Sequence, residues 1–138
     1  MLICDTGPLY AILDRRDPDH GRCLEALTEA VDRLLVPIPV VTEVCQLAES
    51  RQISRAVPPF LRGLAGGELQ TISPAPEDWR RVAELCERYD DLPLGMVDAC
   101  VVALAERLGA TAVATLDLRH FSIVRPRHVE RLTILPEP

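Results

Sequence analysis

The sequence predicts an α/β fold, a three-layer α/β/α sandwich around a central, mainly parallel sheet of four to five short strands. Three observations carry this reading. Short apolar runs alternate along the chain with amphipathic stretches of helical period, as crossover units between parallel strands require. Acids stand where strands end and helices begin: Asp5 and Asp117 follow apolar runs, and Glu43 and Asp98 lie near helix starts. The 138 residues fit one domain, residues 1–138, large enough to bury a core without disulfide or zinc staples.

The first unit is Leu2-Ile3-Cys4, an apolar run closed by Asp5-Thr6-Gly7, then Pro8 to Leu13 as a helix with proline in its first turn. A polar loop from Arg15 to Asp19 leads into a helix over His20 to Val31, where Cys23, Leu24, Leu27 and Val31 recur at helical spacing. Leu34 to Val36 reads as a strand stopped by Pro37 and Pro39. A helix begins at Val40, with Glu43 in its first turn, where the helix dipole favours a carboxylate. Ile53 to Leu64 is partly helical, interrupted or restarted by Pro58 and Pro59 and ended by Gly63, Gly66 and Gly67. Leu69 to Ile72 is a strand, Glu77 to Tyr89 a helix opened by acids, and residues 90–95 a connector. Met96 to Leu108 is a strong amphipathic helix with Asp98 in its first turn and Gly109 as its cap. Ala112 to Thr115 and Thr133 to Leu135 supply the last strands.

Composition narrows the chemistry. Apolar residues make up 48% and charged residues 26%, a globular balance, while 4% aromatic content argues against base stacking as the main mode of nucleic-acid contact. The net charge of -6 on its own disfavours a simple nucleic-acid binder. From residue 118 onward, however, Arg119, Arg125, Arg127 and Arg131 face only Glu130 and Glu137, leaving this stretch basic. Arg119, Arg125 and Arg127 are therefore candidate RNA contacts, since arginine grips phosphate bidentately; a solvated face is the competing reading. The chain contains no lysine, which argues against a Walker A loop, a Schiff-base enzyme and a receiver-type phosphoacceptor. Five scattered cysteines without C-x-x-C read as buried thiols in a reducing cytoplasm. No secretion signal and no apolar stretch long enough for a bilayer is visible.

The four acids carry the chemical argument. Brought together, Asp5, Glu43, Asp98 and Asp117 would raise each other's pKa values unless a cation neutralised them. All-oxygen donors select Mg²⁺ or Mn²⁺ rather than zinc. A divalent ion in such a site best supports in-line attack of water on a phosphodiester. Each acid alone has a plainer role: Asp5 as a cap, Glu43 and Asp98 as dipole partners, Asp117 as a turn residue.

Asp5-Thr6 after an apolar run, Val41-Thr42-Glu43-Val44, Tyr89 through Asp98-Ala99, and Ala114-Thr115-Leu116-Asp117 followed by Phe121 together resemble a PIN domain of the kind found in VapC-type toxins of toxin-antitoxin pairs. The resemblance covers almost the whole chain. It implies a Mg²⁺- or Mn²⁺-dependent ribonuclease with Asp5 and Asp98 as primary metal ligands, Glu43 completing the site, and Asp117 binding a second ion or positioning water. Thr6 and Thr115 match hydroxyl positions beside the acids that orient ligand or water; strand-end and capping roles are the alternative. The resemblance also implies an RNA substrate, a homodimer, and a cognate antitoxin whose C-terminal segment lies in a groove near the acids.

Other residues are read more plainly. Asp91 is either an outer acid or a loop carboxylate. Asp14, Asp17 and Asp19 form a solvated loop, and His20, His120 and His128 lack ligand spacing and read as surface or substrate-side residues. The D-T-G of Asp5-Thr6-Gly7 also matches aspartic proteases, but those are all-β and a helix pattern follows here directly. A non-catalytic RNA- or partner-binding module of the same fold, and a stand-alone RNA-processing nuclease, are the remaining alternatives.

Overall fold

A computed structural model describes residues 1–138 and contains five strands and seven α-helices. In chain order these are β1 (Leu2–Cys4), α1 (Thr6–Leu13), α2 (His20–Glu29), β2 (Leu34–Pro37), α3 (Ile38–Ser50), α4 (Val57–Ala65), β3 (Gln70–Ile72), α5 (Pro76–Arg88), α6 (Met96–Leu108), β4 (Ala112–Ala114), α7 (Leu118–Ile123) and β5 (Thr133–Leu135). The strands form one sheet in the order β3-β2-β1-β4-β5, and every pairing is parallel.

The order follows from the connections. From β1 the chain steps outward through β2 to β3, then crosses back over the sheet by α5 and α6 to pair β4 with the other side of β1. Right-handed crossovers in opposite directions put helices on both faces. Accordingly α1 packs with α2 and α3, and α5 with α6. β1 and β4 are completely apolar and buried, as strands covered on both faces must be. Leu2, Ile3, Val36, Val44, Val101, Val102 and Val113 are fully buried members of the single core. No helix is long and apolar enough to cross a membrane.

Local corrections concern helix starts. α3 begins at Ile38, two residues earlier than the sequence suggested, because Pro39 occupies an early helical position where its missing N–H costs nothing. Pro37 closes β2. Glu43 therefore stands in the second turn of α3, and that helix has no acid in its first turn. Pro58 and Pro59 likewise open α4 after a short 3-10 turn at Ser54–Ala56. α2 stops at Glu29, and Val31 begins a separate 3-10 turn. α7 has no counterpart in the sequence reading. Gly109 ends α6 at φ 70, in the left-handed region that glycine enters without steric penalty.

Candidate active site

At the carboxyl edge of the sheet the chain leaves β1 and β4 side by side. Strand order reverses here, and ligands of open α/β sheets bind at such a point. Asp5 emerges from β1 with its N–H donating to Ala114 O of β4 (2.8 Å), which fixes the backbone on which the carboxylate sits. α6 brings Asp98 in its first turn, α3 brings Glu43, and Asp117 caps α7. All four acids line one cleft of about 690 Å³ together with Thr6, Tyr10, Asp17, Arg51 and the turn at Gly95-Met96-Val97.

Two threonines behave differently. Thr115 Oγ1 donates to Asp5 Oδ2 (2.7 Å) and accepts from Asp117 N–H (3.0 Å), tying the first acid to the fourth. Asp117 Oδ1 in turn accepts from His120 N–H (3.0 Å) and closes the first turn of α7. Thr6 Oγ1 is buried in the cleft wall and has no hydrogen-bond partner.

Asp5 is 5% exposed. Burial first, then the Asp98 carboxylate, push its pKa up to about 7, against the opposing hydrogen bonds from Thr115 and the Thr6 backbone; Glu43 adds a smaller upward push. Asp98 is also raised, chiefly by burial and by Asp117 and Glu43, while its hydrogen bond from His120 lowers it. The cleft thus holds more negative charge than its own protein groups neutralise. Carboxylate oxygens supplemented by an unpaired, buried hydroxyl are the donor set of a hard divalent cation, and the residues fit one.

His120 changes the picture drawn from the sequence. Its Nδ1 lies 2.9 Å from Asp98 Oδ2 and 2.7 Å from Asp117 Oδ2, bridging the third and fourth acids. The ligand atoms of Asp98, Asp117 and His120 all fall within 4.8 Å of one another, whereas Asp5 and Glu43 stand outside that tight set. His120 is therefore a site residue rather than an isolated surface histidine. Its only signal in the chain was its place three residues after Asp117, the cap of α7; the contact with Asp98 is made by tertiary packing.

The other charged candidates fall elsewhere. Arg127 pairs with Glu84 (2.8 Å), and its backbone N–H donates to Glu106, in a separate pocket between α5 and α6. Arg125 donates to Ser122 O, and Arg119 is exposed on α7; none of the three lines the acid cleft. Arg51, which the sequence did not single out, does line it, held 4.6 Å above the Tyr10 ring. Asp14 accepts from Tyr10 Oη (2.7 Å) and Asp17 lines the cleft, so this loop is not merely solvated. Asp91 is exposed and outside the cleft. His20 and His128 donate to the backbone carbonyls of Ala11 and Ala110.

The chain is similar to several known proteins. Ribonuclease VapC26 of Mycobacterium tuberculosis is 35% identical over 135 residues, covering 98% of this chain and 100% of that protein. The crystal structure of Mycobacterium tuberculosis VapC20, a sarcin-ricin loop cleaving toxin, superposes with a TM-score of 0.82 at 18% identity, over 94% of this chain and 99% of the other. A toxin-antitoxin complex from Klebsiella pneumoniae is similar with a TM-score of 0.66 at 18% identity, over 94% and 100% of the two chains. VapBC2 from Rickettsia felis, bound to a DNA fragment from its promoter, gives 0.64 at 14% identity, over 96% of each. The family model described as PIN domain spans residues 2–125, from β1 past α7, and so takes in all four acids and His120. By its acids, its sheet and this match, the chain belongs to the PIN domain family.

Proposed function

We propose that this protein is a Mg²⁺- or Mn²⁺-dependent endoribonuclease, the toxin of a type II toxin-antitoxin pair. One observation carries the chemistry: Asp5, Glu43, Asp98 and Asp117 line one open cleft, with Asp5 buried there and its pKa pushed up to about 7 by burial first and then by the Asp98 carboxylate. Asp5, Asp98 and Glu43 would hold the ion, with Asp117 toward a second ion or the attacking water. When bound, the ion offsets the charge that builds on the phosphoryl group and makes water a better nucleophile.

The protein's own groups do the rest. Thr115 fixes one oxygen of Asp5 and, through the Asp117 N–H, the position of the fourth acid. His120 spans Asp98 and Asp117, so both carboxylates are oriented before substrate arrives. Asp117, at the mouth of α7 in the same cleft, would position the attacking water or a second ion. Arg51 is the cation on the cleft wall suited to a substrate phosphate.

A cognate antitoxin, pairing of two copies and residence in the cytoplasm belong to the same proposal. Exposed Leu24, Val31, Leu61 and Ile123 offer apolar surface to protein partners, and five unpaired cysteines suit a reducing compartment. Cleavage of a structured RNA, with Mg²⁺, with Mn²⁺ and with EDTA, tests the reading in wild type and Asp98→Asn. Both the chelator and the substitution are expected to abolish cutting, the substitution by at least about 100-fold; activity surviving either one refutes it. Failure of the chain to arrest growth when expressed alone would favour a stand-alone processing nuclease.

A further inference from the structure

The acid cleft is lined by five carboxylates, those of Asp5, Asp17, Glu43, Asp98 and Asp117, and by one basic residue, Arg51. We propose that Arg51, held in place by the Tyr10 ring, is a subsite for a second phosphate of the RNA, one or two nucleotides away from the phosphate that the acids engage. The inference rests on the nuclease reading above and adds to it a recognition point outside the reacting bond, with Tyr10 as a positioning residue.

An arginine among so many acids ordinarily pairs with one of them and spends its donors there. Arg51 is in no ion pair. Its guanidinium instead lies over the Tyr10 ring, 4.6 Å from the centroid. The ring attracts the cation through its quadrupole and leaves the N–H fork free for a phosphate, which a carboxylate partner would occupy. Tyr10 is a firm platform: it is almost completely buried, and its Oη donates to Asp14 Oδ2 (2.7 Å). Asp14 is further engaged by its own loop, accepting from the Arg16 N–H (3.1 Å).

The register of α3 says which phosphate. Glu43, Leu47 and Arg51 follow one another at four-residue intervals, and all three line the cleft. Eight residues of helix rise about 12 Å. Acid and cation thus mark the two ends of one stripe, a separation that suits successive phosphates of a strand rather than a single one. The backbone beneath Arg51 is fixed as well. Its N–H donates to Leu47 O (2.9 Å), Gln52 turns the chain at φ 63, and the Ile53 N–H closes α3 on Ala48 O (2.8 Å). A strand whose scissile phosphate meets Asp5 and Asp98 therefore carries a neighbouring phosphate to a cation already in position.

The test uses a structured RNA that the wild type cuts, its cleavage point mapped, with one neutral methylphosphonate linkage placed in turn at the positions flanking the cut. At one of them the neutral linkage is expected to raise KM about tenfold with kcat nearly unchanged. In Arg51→Ala the same linkage should cost nothing further. Tyr10→Leu should behave as Arg51→Ala does, and Tyr10→Phe, which keeps the ring, as wild type. Should Tyr10→Leu not fold, a trifluorinated phenylalanine at position 10 keeps the ring's shape, removes its negative face and should lose the effect that phenylalanine retains. If no flanking linkage matters to wild type, or if it costs wild type and Arg51→Ala equally, the subsite is refuted and the nuclease reading stands. If Tyr10→Leu matches Tyr10→Phe, the ring does not hold Arg51 and the proposal is overturned. If wild type cuts no RNA in any metal, both readings fall.

Discussion

Replacing Asp5 by asparagine removes the charge that the fold holds at greatest cost. The side chain is almost completely buried, and burial with the neighbouring Asp98 carboxylate pushes its pKa from the ordinary carboxylate range up to about 7. A raised acid binds its proton more tightly when folded, so folding is favoured at low pH and loses stability as pH climbs from about 4 through 7. That rise corresponds to roughly 4 kcal/mol in all, of which about 3 fall between pH 5 and pH 8. Asparagine keeps an oxygen to accept from Thr115 Oγ1, and so removes the charge with little change of shape. Urea unfolding in EDTA should therefore find Asp5→Asn more stable than wild type by about 4 kcal/mol at pH 8, with the gap falling to between about 1 and 2 kcal/mol at pH 5. Adding Mg²⁺ at pH 8 should reverse the order, because only the wild type gains from the ion. A variant no more stable than wild type at pH 8 in EDTA would refute the claim that Asp5 is buried against uncompensated charge.

Three other perturbations probe separate parts of the molecule. His120→Ala deprives Asp98 of the hydrogen bond that lowers its pKa and leaves Asp117 without its second partner; RNA cleavage should fall about 10- to 100-fold, and wild-type activity in this variant would show the bridge to be idle. Arg51→Ala should raise KM several-fold in the cleavage assay without lowering kcat, and should reduce the salt dependence of binding by about one charge. Arg107→Ala leaves the buried Asp78, whose oxygens both lie 2.9 Å from Arg107 Nε, with only the Ala75 N–H as donor, and should cost about 2 kcal/mol in urea while leaving Mg²⁺ affinity unchanged.

Much of this site was legible in the chain. β1 and the helix bearing Asp98 are continuous apolar or strongly periodic segments, and their ends fix where Asp5 and Asp98 emerge. Glu43 was found but misplaced by one turn, because Pro39 was read as a stop when it serves as a start. α7 escaped because six residues are too few to display a helical period. His120 escaped with it, since its bond to Asp98 joins residues 22 apart through tertiary packing alone. The basic C-terminal stretch was misleading for a related reason: a run of arginines reveals charge but not direction, and Arg127 is taken up by Glu84 and Glu106.

The sheet order has a consequence for how the molecule comes into being. β1 is made first, yet its neighbour β4 and the threonine that anchors Asp5 come 110 residues later in the chain. A growing polypeptide can pair β1 with β2 and β2 with β3, but β1 stays bare along its other edge until residues 112–115 emerge. Such long-range parallel pairing is slow and exposes unpaired strand edges in the interim. No partial chain ending before Thr115 can assemble the four acids. The acid edge is thus assembled only after residues 112–117 have been made, and a chain still short of them is inert.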